Sequence, residues 1–320
     1  MIRLSIVIVT WNAYKYVEEC LRSLAPICAD NAEVIVVDNA SSDGTPQLIE
    51  QEFPNVKLLR NESNCGFAKA NNIAMAVSRG KYVCLVNSDV NVPGSCVPPM
   101  LAYMDEHPEI GLLGPRMRTA NGAIGRSYMR FPSLWKMFCR ALALDRLLPN
   151  CRVFGGFLMG DFDNTRTAPV DVLNGWFLLI RRSALEQVGG LDEGFFMYGE
   201  DIDWCRRFHK KGWQVVYYAG SEALHYGGGS SRKAPIQFYV EMQRANLRYY
   251  WKSYQSRLAQ IAFACIVGIH HVLRLLGYCT LFLVKKEYRS EAAFKVKRCI
   301  ACLNWLITAK TAWLGFEIGK

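Results

Sequence analysis

The stretch GEDIDWCRR at 199–207 sets three carboxylates, Glu200, Asp201 and Asp203, just ahead of Arg206 and Arg207. Acid-then-base order suits the first turns of a solvated surface helix, because it complements the helix dipole. The same stretch could instead hold a general base, since an ionised carboxylate near a helix N-terminus is a competent proton acceptor. Three other groups could do chemistry. Thr10, Asp38 and Asn39 follow apolar runs, as do Asn87, Ser88 and Asp89, and His225 stands ahead of a glycine-serine run. Bare glycine backbone behind His225 would let the chain approach a phosphate closely.

These residues need a scaffold that brings them together. LSIVIVT (4–10) is a continuous apolar run, as expected of a parallel strand buried on both faces, and Asn12 is positioned to cap a helix running to about Leu24. Strands are expected at 32–39, 56–61 and 81–89, with helices between them, the third over 71–80 and closed by Gly80 as its C-cap. Short-loop alternation of strand and helix predicts an α/β fold with a mainly parallel central sheet. Ligands of such sheets bind beyond the carboxyl ends of the strands, where Thr10, Asp38 and the Asn87-Ser88-Asp89 group fall. Further on, a helix is expected over 133–148, a strand over 170–182, helices from Ser183 and from about Ile202 to Lys211, and a strand over WQVVYYAGSEALHY. No GxGxxG opens a helix after the first strand and no Walker A sequence is present, which argues against dinucleotide and ATP sites.

Six motifs in order, VVDNASSDGT, GFAKANN, VNSDV, GWFLLIRR, GEDIDWCRR and HYGGGS, resemble the family-two glycosyltransferases of the GT-A fold, most closely the bacterial rhamnosyltransferase-like branch. The resemblance covers about residues 3–250. It implies inverting, metal-dependent transfer of a sugar from a nucleotide diphosphate to an acceptor hydroxyl. By the same resemblance Thr10, Asp38 and Asn39 would hold the nucleoside, with Asp38 accepting from a pyrimidine imide N–H, and Lys69 would lie near the nucleotide. Asn87-Ser88-Asp89 corresponds to the D-x-D motif, with Asn in place of the first Asp and Asp89 as the metal ligand. His225 would be a second ligand of Mn²⁺ or Mg²⁺, and Gly228 and Ser230 would border the phosphates. Asp201 falls at the catalytic base, where Ncap or N1 placement would keep it ionised, with Asp203 and Glu200 as alternatives. Trp176 is either core or a wall for acceptor and sugar, and Glu200 is a candidate on the same side. The implied donor is dTDP-rhamnose, with UDP-hexoses next, in the building of a bacterial surface polysaccharide. A non-catalytic sugar-nucleotide-binding scaffold is the alternative, and retention of Asp89, Asp201 and His225 argues against it.

Composition adds a second region. The chain has 320 residues and a formal net charge of +10, but residues 231–320 alone carry 15 Lys+Arg against 4 Asp+Glu. Two parts are therefore expected: a catalytic domain over 1–235 and a basic, apolar helical tail over 236–320. In the apolar run 258–284 and at its two flanks, Arg257, Gln260, His270, His271, Arg274 and Lys285 fall on one arc of a helical wheel. That pattern predicts an interfacial helix with a basic polar face, and Trp305 and Trp313 with nearby Lys and Arg suit an anionic headgroup layer. A membrane surface is favoured over nucleic acid, which would leave the apolar face wet. The other reading packs this face on the catalytic domain or on a second subunit in a homo-oligomer. Membrane attachment implies a polyprenyl-linked glycan acceptor. No Q-x-x-R-W motif of processive synthases is present. The twelve cysteines show no disulfide or zinc framework, and MIRLSIVIVTWN reads as a strand and not as a signal peptide. The expected place is the cytoplasm, peripheral on the inner face of the cell membrane.

Overall fold

A computed structural model describes residues 2–28, 31–160, 162–227 and 235–308. The chain divides into two compact units, 1–131 with 162–233, and 132–161 with 234–320.

The first unit opens with β1 (Leu4–Thr10), α1 (Tyr14–Cys28), β2 (Ala32–Asp38), α2 (Thr45–Glu52), β3 (Lys57–Arg60), α3 (Phe67–Val77) and β4 (Tyr82–Asn87). It continues with β5 (Val90–Asn91), α4 (Val97–Glu106), β6 (Ile110–Thr119), β7 (Ile124–Gly125) and β8 (Tyr128–Met129). α5 (Leu134–Ala141) and α6 (Leu144–Leu147) belong to the second unit. The first unit then resumes with β9 (Ala168–Pro169), β10 (Val172–Leu173), β11 (Phe177–Arg181), α7 (Arg182–Val188), α8 (Glu200–Lys210) and β12 (Gln214–His225). The main sheet runs β3-β2-β1-β4-β11-β6-β12-β5. Its first four strands are parallel, β11 is antiparallel to both neighbours, and β12 is parallel to β6. The sheet is thus mixed and mostly parallel. β1 and β4 are buried almost throughout, so both faces of these strands are covered.

Local expectations needed three corrections. Asn12 does not cap α1: its Oδ1 accepts from Ser42 N–H, and Thr45 and Asp43, some thirty residues on, accept from the N–H groups of Ala13 and Tyr14. α3 starts at Phe67, four residues earlier than expected, behind Gly66 at φ 87°. It ends at Ser78 and not at Gly80. Gly80 is there for close approach, because a Cβ would lie 2.5 Å from Ser5 N, and its N–H donates to Ser5 Oγ at 2.7 Å.

The second unit is helical: α5, α6, α9 (Pro235–Ser253), α10 (Arg257–Val284) and α11 (Arg289–Thr308). The single helix expected over 133–148 is broken at Ala143, whose φ is 60°. The division expected at residue 235 assigned 132–161 to the catalytic domain, but this segment groups with the C-terminal helices because α5 packs on α10. α10 also corrects the expected interfacial geometry. Its inward stripe is Phe263, Val267 and His271, and Gln260, His270 and Arg274 are half-buried. The outward stripe is apolar: Leu258, Ile261, Ile269, Val272, Leu273, Leu276 and Leu283 are all exposed. The polar arc therefore faces protein except at its ends, Arg257 and Lys285, and the greasy arc faces out. α10 is the one described helix long and apolar enough to cross a membrane.

Candidate active site

The carboxyl ends of three adjacent parallel strands meet at one edge of the first unit. Register pairs Thr10 with Asp38, and Val9 with Asn87. Each end carries a buried polar atom with no partner: Thr10 Oγ1, Asp38 Oδ1 and Asn87 Oδ1. The other Asp38 oxygen accepts from Ser41 N–H at 3.0 Å. An orphaned buried polar atom costs about 1–3 kcal/mol, so three together at a sheet's ligand edge mark a place where a ligand supplies the missing bonds. Ser88 and Asp89 are buried beside them.

Pairing also brings His225 to Asp89. β12 runs antiparallel to β5 with His225 opposite Val90, and Tyr226 N–H donates to Asp89 O. Three extra residues between Tyr218 and Glu222 shift the register of β12 against β6, which sets where His225 arrives. His225 Nε2 lies 3.3 Å from Asp89 Oδ1. Adjacent ligands on one ion with bonds near 2.1 Å stand about 3 Å apart, so this carboxylate and imidazole fit neighbouring positions on a divalent cation. No group of three metal-ligating side chains exists among the described residues, so a cation held by this pair would take its further ligands from a bound phosphate or water. Gly228 and Ser230, expected at the phosphates, lie outside the described residues.

The Asn174-Gly175-Trp176 segment joins this corner to the carboxylates of α8. Trp176 O accepts from Asn87 N–H at 3.0 Å. The Trp176 ring stacks on His225 at 5.4 Å between centroids. With 4% of its surface exposed and a place in the hydrophobic core, Trp176 orients the imidazole from behind. It is not an open wall for a sugar, because its faces are already covered. Gly175 N–H donates to Asp201 Oδ2 at 3.0 Å, and Ile202 N–H donates to Oδ1 at 2.8 Å.

α8 starts at Glu200 behind Gly199 in the left-handed region, so Asp201 is the second helical residue, one step further in than expected. Burial pushes its carboxyl up from the ordinary aspartate range, against the pull of the two N–H donors. The helix end alone does not keep it low, because the surroundings are shielded from water. Glu200 is pushed further, well above the ordinary range, by its own burial and by the neighbouring Asp201 charge, and its Oε2 has no partner. Of the two, Glu200 is the more strongly held from ionising, and Asp201 is the less buried. Asp203 is buried and pairs with Arg207 at 2.9 Å, and Arg207 also donates to Val188 O and Gly190 O. That cluster holds the helix and leaves Asp203 no part in proton transfer.

One expected donor residue, Asn39, is placed differently. Both ends of the Asn39 side chain are engaged: Nδ2 donates to Asn64 Oδ1 and Gly66 O, and Oδ1 accepts from Asn61 Nδ2 and Cys65 N–H. Asn39 clamps the 61–66 loop and has no capacity left for a nucleoside. Lys69 is exposed on the first turn of α3. Sequence reasoning passed over Gly175, whose backbone N–H holds Asp201, and Asn174, whose Oδ1 is buried without a partner. The Asn-Gly dipeptide ahead of a strand was the available signal.

Comparison with known proteins bears on the family and the fold. The profile of Glycosyl transferase family 2 matches residues 5–189, and that of Glycosyl transferase family group 2 matches 154–314. The chain is 35% identical over 243 residues to the N-acetylglucosaminyl-diphospho-decaprenol L-rhamnosyltransferase of Mycobacterium tuberculosis, covering 72% of this chain and 78% of that protein. Among solved structures, the mannosyltransferase PcManGT of Pyrobaculum calidifontis, in complex with GDP-Man and Mn²⁺, aligns with a TM-score of 0.55 at 17% identity over 96% of this chain and 88% of that one. S. aureus TarS 1-349 aligns with a TM-score of 0.50 at 18% identity over 99% and 93%. The fold is that of the GT-A glycosyltransferases, and the chain belongs to glycosyltransferase family two. It is a sugar-transferring enzyme.

Proposed function

We propose that the first unit moves a sugar, rhamnose from dTDP-rhamnose, onto a polyprenyl-diphosphate-linked glycan, with inversion, in the assembly of a bacterial surface polysaccharide. The observation that carries the donor site is the trio of orphaned atoms, Thr10 Oγ1, Asp38 Oδ1 and Asn87 Oδ1, on three adjacent strand ends. A pyrimidine imide N–H matches the free Asp38 oxygen, and a ribose hydroxyl matches Asn87. The printed name of the 35% identical relative supports rhamnose and a lipid-linked acceptor.

Asp89 and His225 would hold Mn²⁺ or Mg²⁺, which when bound offsets charge on the departing diphosphate. Asp201 takes the proton of the acceptor hydroxyl as that oxygen bonds to the anomeric carbon and the nucleoside diphosphate leaves from the opposite face. The N–H groups of Gly175 and Ile202 hold the carboxylate in place, and its raised pKa moves it toward the working pH, where a base is most effective. Lys69 is assigned to the nucleotide, Gly228 and Ser230 to the phosphates, and Glu200 supports Asp201. The outward apolar stripe of α10 supports attachment of the second unit to the inner face of the cell membrane.

A donor screen tests the reading. Nucleoside diphosphate release with Mn²⁺ and a prenyl-diphosphate N-acetylglucosamine acceptor should occur with dTDP-rhamnose. Turnover confined to a UDP-hexose reassigns the sugar, and turnover of GDP- or ADP-sugars alone overturns the pyrimidine assignment.

A further inference from the structure

α10 turns its polar side chains inward and its apolar ones outward. In water this order is costly; in or against hydrocarbon it is the expected one, since ionisable residues there face the bundle interior. The interior of the second unit also lacks something. His271 is 1% exposed, and neither ring nitrogen has a hydrogen-bond partner, although a neutral imidazole needs one donor and one acceptor bond satisfied. The Arg298 guanidinium lies 4.2 Å over the Tyr239 ring, its Nε buried and unpartnered, and the Tyr239 ring is 6.0 Å from that of His271. Arg274 stands on α10 three residues beyond His271, and Arg140 and Arg146 lie on α5 and α6, which pack on each other, α5 also on α10. None of these four arginines has an ion pair among the described residues, whereas Arg244 and Lys295 in the same unit pair with Glu241 and Glu291.

We propose that this interior binds the phosphate-bearing headgroup of a lipid: Arg140, Arg274 and Arg298 hold the phosphate oxygens, His271 donates to one of them, and the lipid chain follows the apolar outer stripe of α10. A cluster of unpaired cations calls for a polyanion, and phosphate is the anion that guanidinium forks bind best. A soluble anion would not account for the outward stripe, and nucleic acid would leave it wet. The inference rests on the lipid-linked acceptor proposed above and supplies the residues that would hold its diphosphate.

The test uses the full chain. Calorimetry compares farnesyl diphosphate with inorganic diphosphate, and flotation compares phosphatidylglycerol vesicles with the same vesicles doped with a long-chain prenyl diphosphate. The doped vesicles should bind at least about tenfold more tightly, farnesyl diphosphate should outbind inorganic diphosphate, and the double variant Arg274→Gln/Arg298→Gln should lose both gains. Unchanged nucleotide binding in the variant shows that the first unit is intact, and Arg244→Gln, away from the cluster, should keep both gains. Equal binding of farnesyl and inorganic diphosphate overturns the lipid part, and gains that survive in the double variant overturn the site. If sugar is transferred to a lipid-linked acceptor while no prenyl diphosphate binds here, the inference fails and the proposed function stands. Binding here without any transfer is the reverse.

Discussion

The two units of this chain are opposites in polarity. The first is built as water-soluble α/β units are: β1 and β4 are apolar and buried, and its unsatisfied polar atoms gather at one edge of the sheet. The second has exposed leucines on α10 and an imidazole without partners in its interior. Both leave buried polar atoms unpaired, and in both the chemistry of those atoms names what is missing. Thr10, Asp38 and Asn87 offer neutral and acidic acceptors suited to a nucleoside. Arg274, Arg298 and His271 offer donors suited to phosphate. The functions proposed for the two units, reading a donor and holding a lipid, follow from that contrast.

If the first unit carries the chemistry, the largest effect belongs to Asp201. Asp201→Asn keeps the shape and removes the proton acceptor, so turnover at saturating acceptor should fall by roughly 10²–10⁴, with donor affinity unchanged. Asp203→Asn should instead cost stability, since it releases Arg207. Near-normal turnover in Asp201→Asn together with an inactive Glu200→Gln would move the base to Glu200. Next is the cation: EDTA should silence the enzyme and Mn²⁺ restore it. Asp89→Ala and His225→Ala should each raise the Mn²⁺ needed by at least about tenfold, the lower cost known for losing even an indirect partner of a metal ligand. Full activity in EDTA contradicts the cation assignment.

The second unit predicts an effect of different kind. Leu276→Gln, on the outward stripe of α10, should weaken vesicle binding by roughly tenfold or more, since burying a leucine is worth about 1.5–3 kcal/mol, and should leave nucleotide binding untouched. If it changes the oligomeric state and not vesicle binding, a second copy of the chain covers that stripe.

The smallest effect is on stability against pH. The Glu200 carboxyl is held well above its ordinary range by burial. A raised folded-state pKa means the folded chain binds the extra proton, so its stabilising contribution is complete below the ordinary glutamate range and is lost as pH rises through the raised value. Glu200→Gln should therefore raise the melting temperature in mildly alkaline buffer, and the gain should vanish on acidification into the ordinary glutamate range. An equal gain at both pH extremes would show that the charge of Glu200 is not what burial penalises.

Much of the first unit was legible because its signals are local. Runs such as LSIVIVT announce buried parallel strands, and polar residues just after them must lie at the sheet's ligand edge, which is how Thr10, Asp38 and Asp89 could be expected there; His225 was expected beside Asp89 only through the family resemblance. The role of Asn39, and the choice between core and wall for Trp176, could not be settled locally for one reason. What a side chain touches depends on partners far along the chain, here the 61–66 loop and His225. Gly175 was passed over because a backbone N–H leaves no side-chain signature. In the second unit the polar arc of α10 was visible on a helical wheel, but its direction was not. A wheel gives two faces, and the surrounding medium decides which one points outward.

The central claim is that the strand-end trio reads a pyrimidine nucleotide. Calorimetry of UDP, dTDP and ADP against the wild type and Asp38→Asn in the presence of Mn²⁺ tests it most directly. The wild type should bind UDP and dTDP and discriminate against ADP. Asp38→Asn should lose most of that discrimination, about 1.5–3 kcal/mol for a hydrogen bond to a carboxylate. Equal affinity of the wild type for ADP and dTDP, or discrimination that survives in Asp38→Asn, would contradict the account.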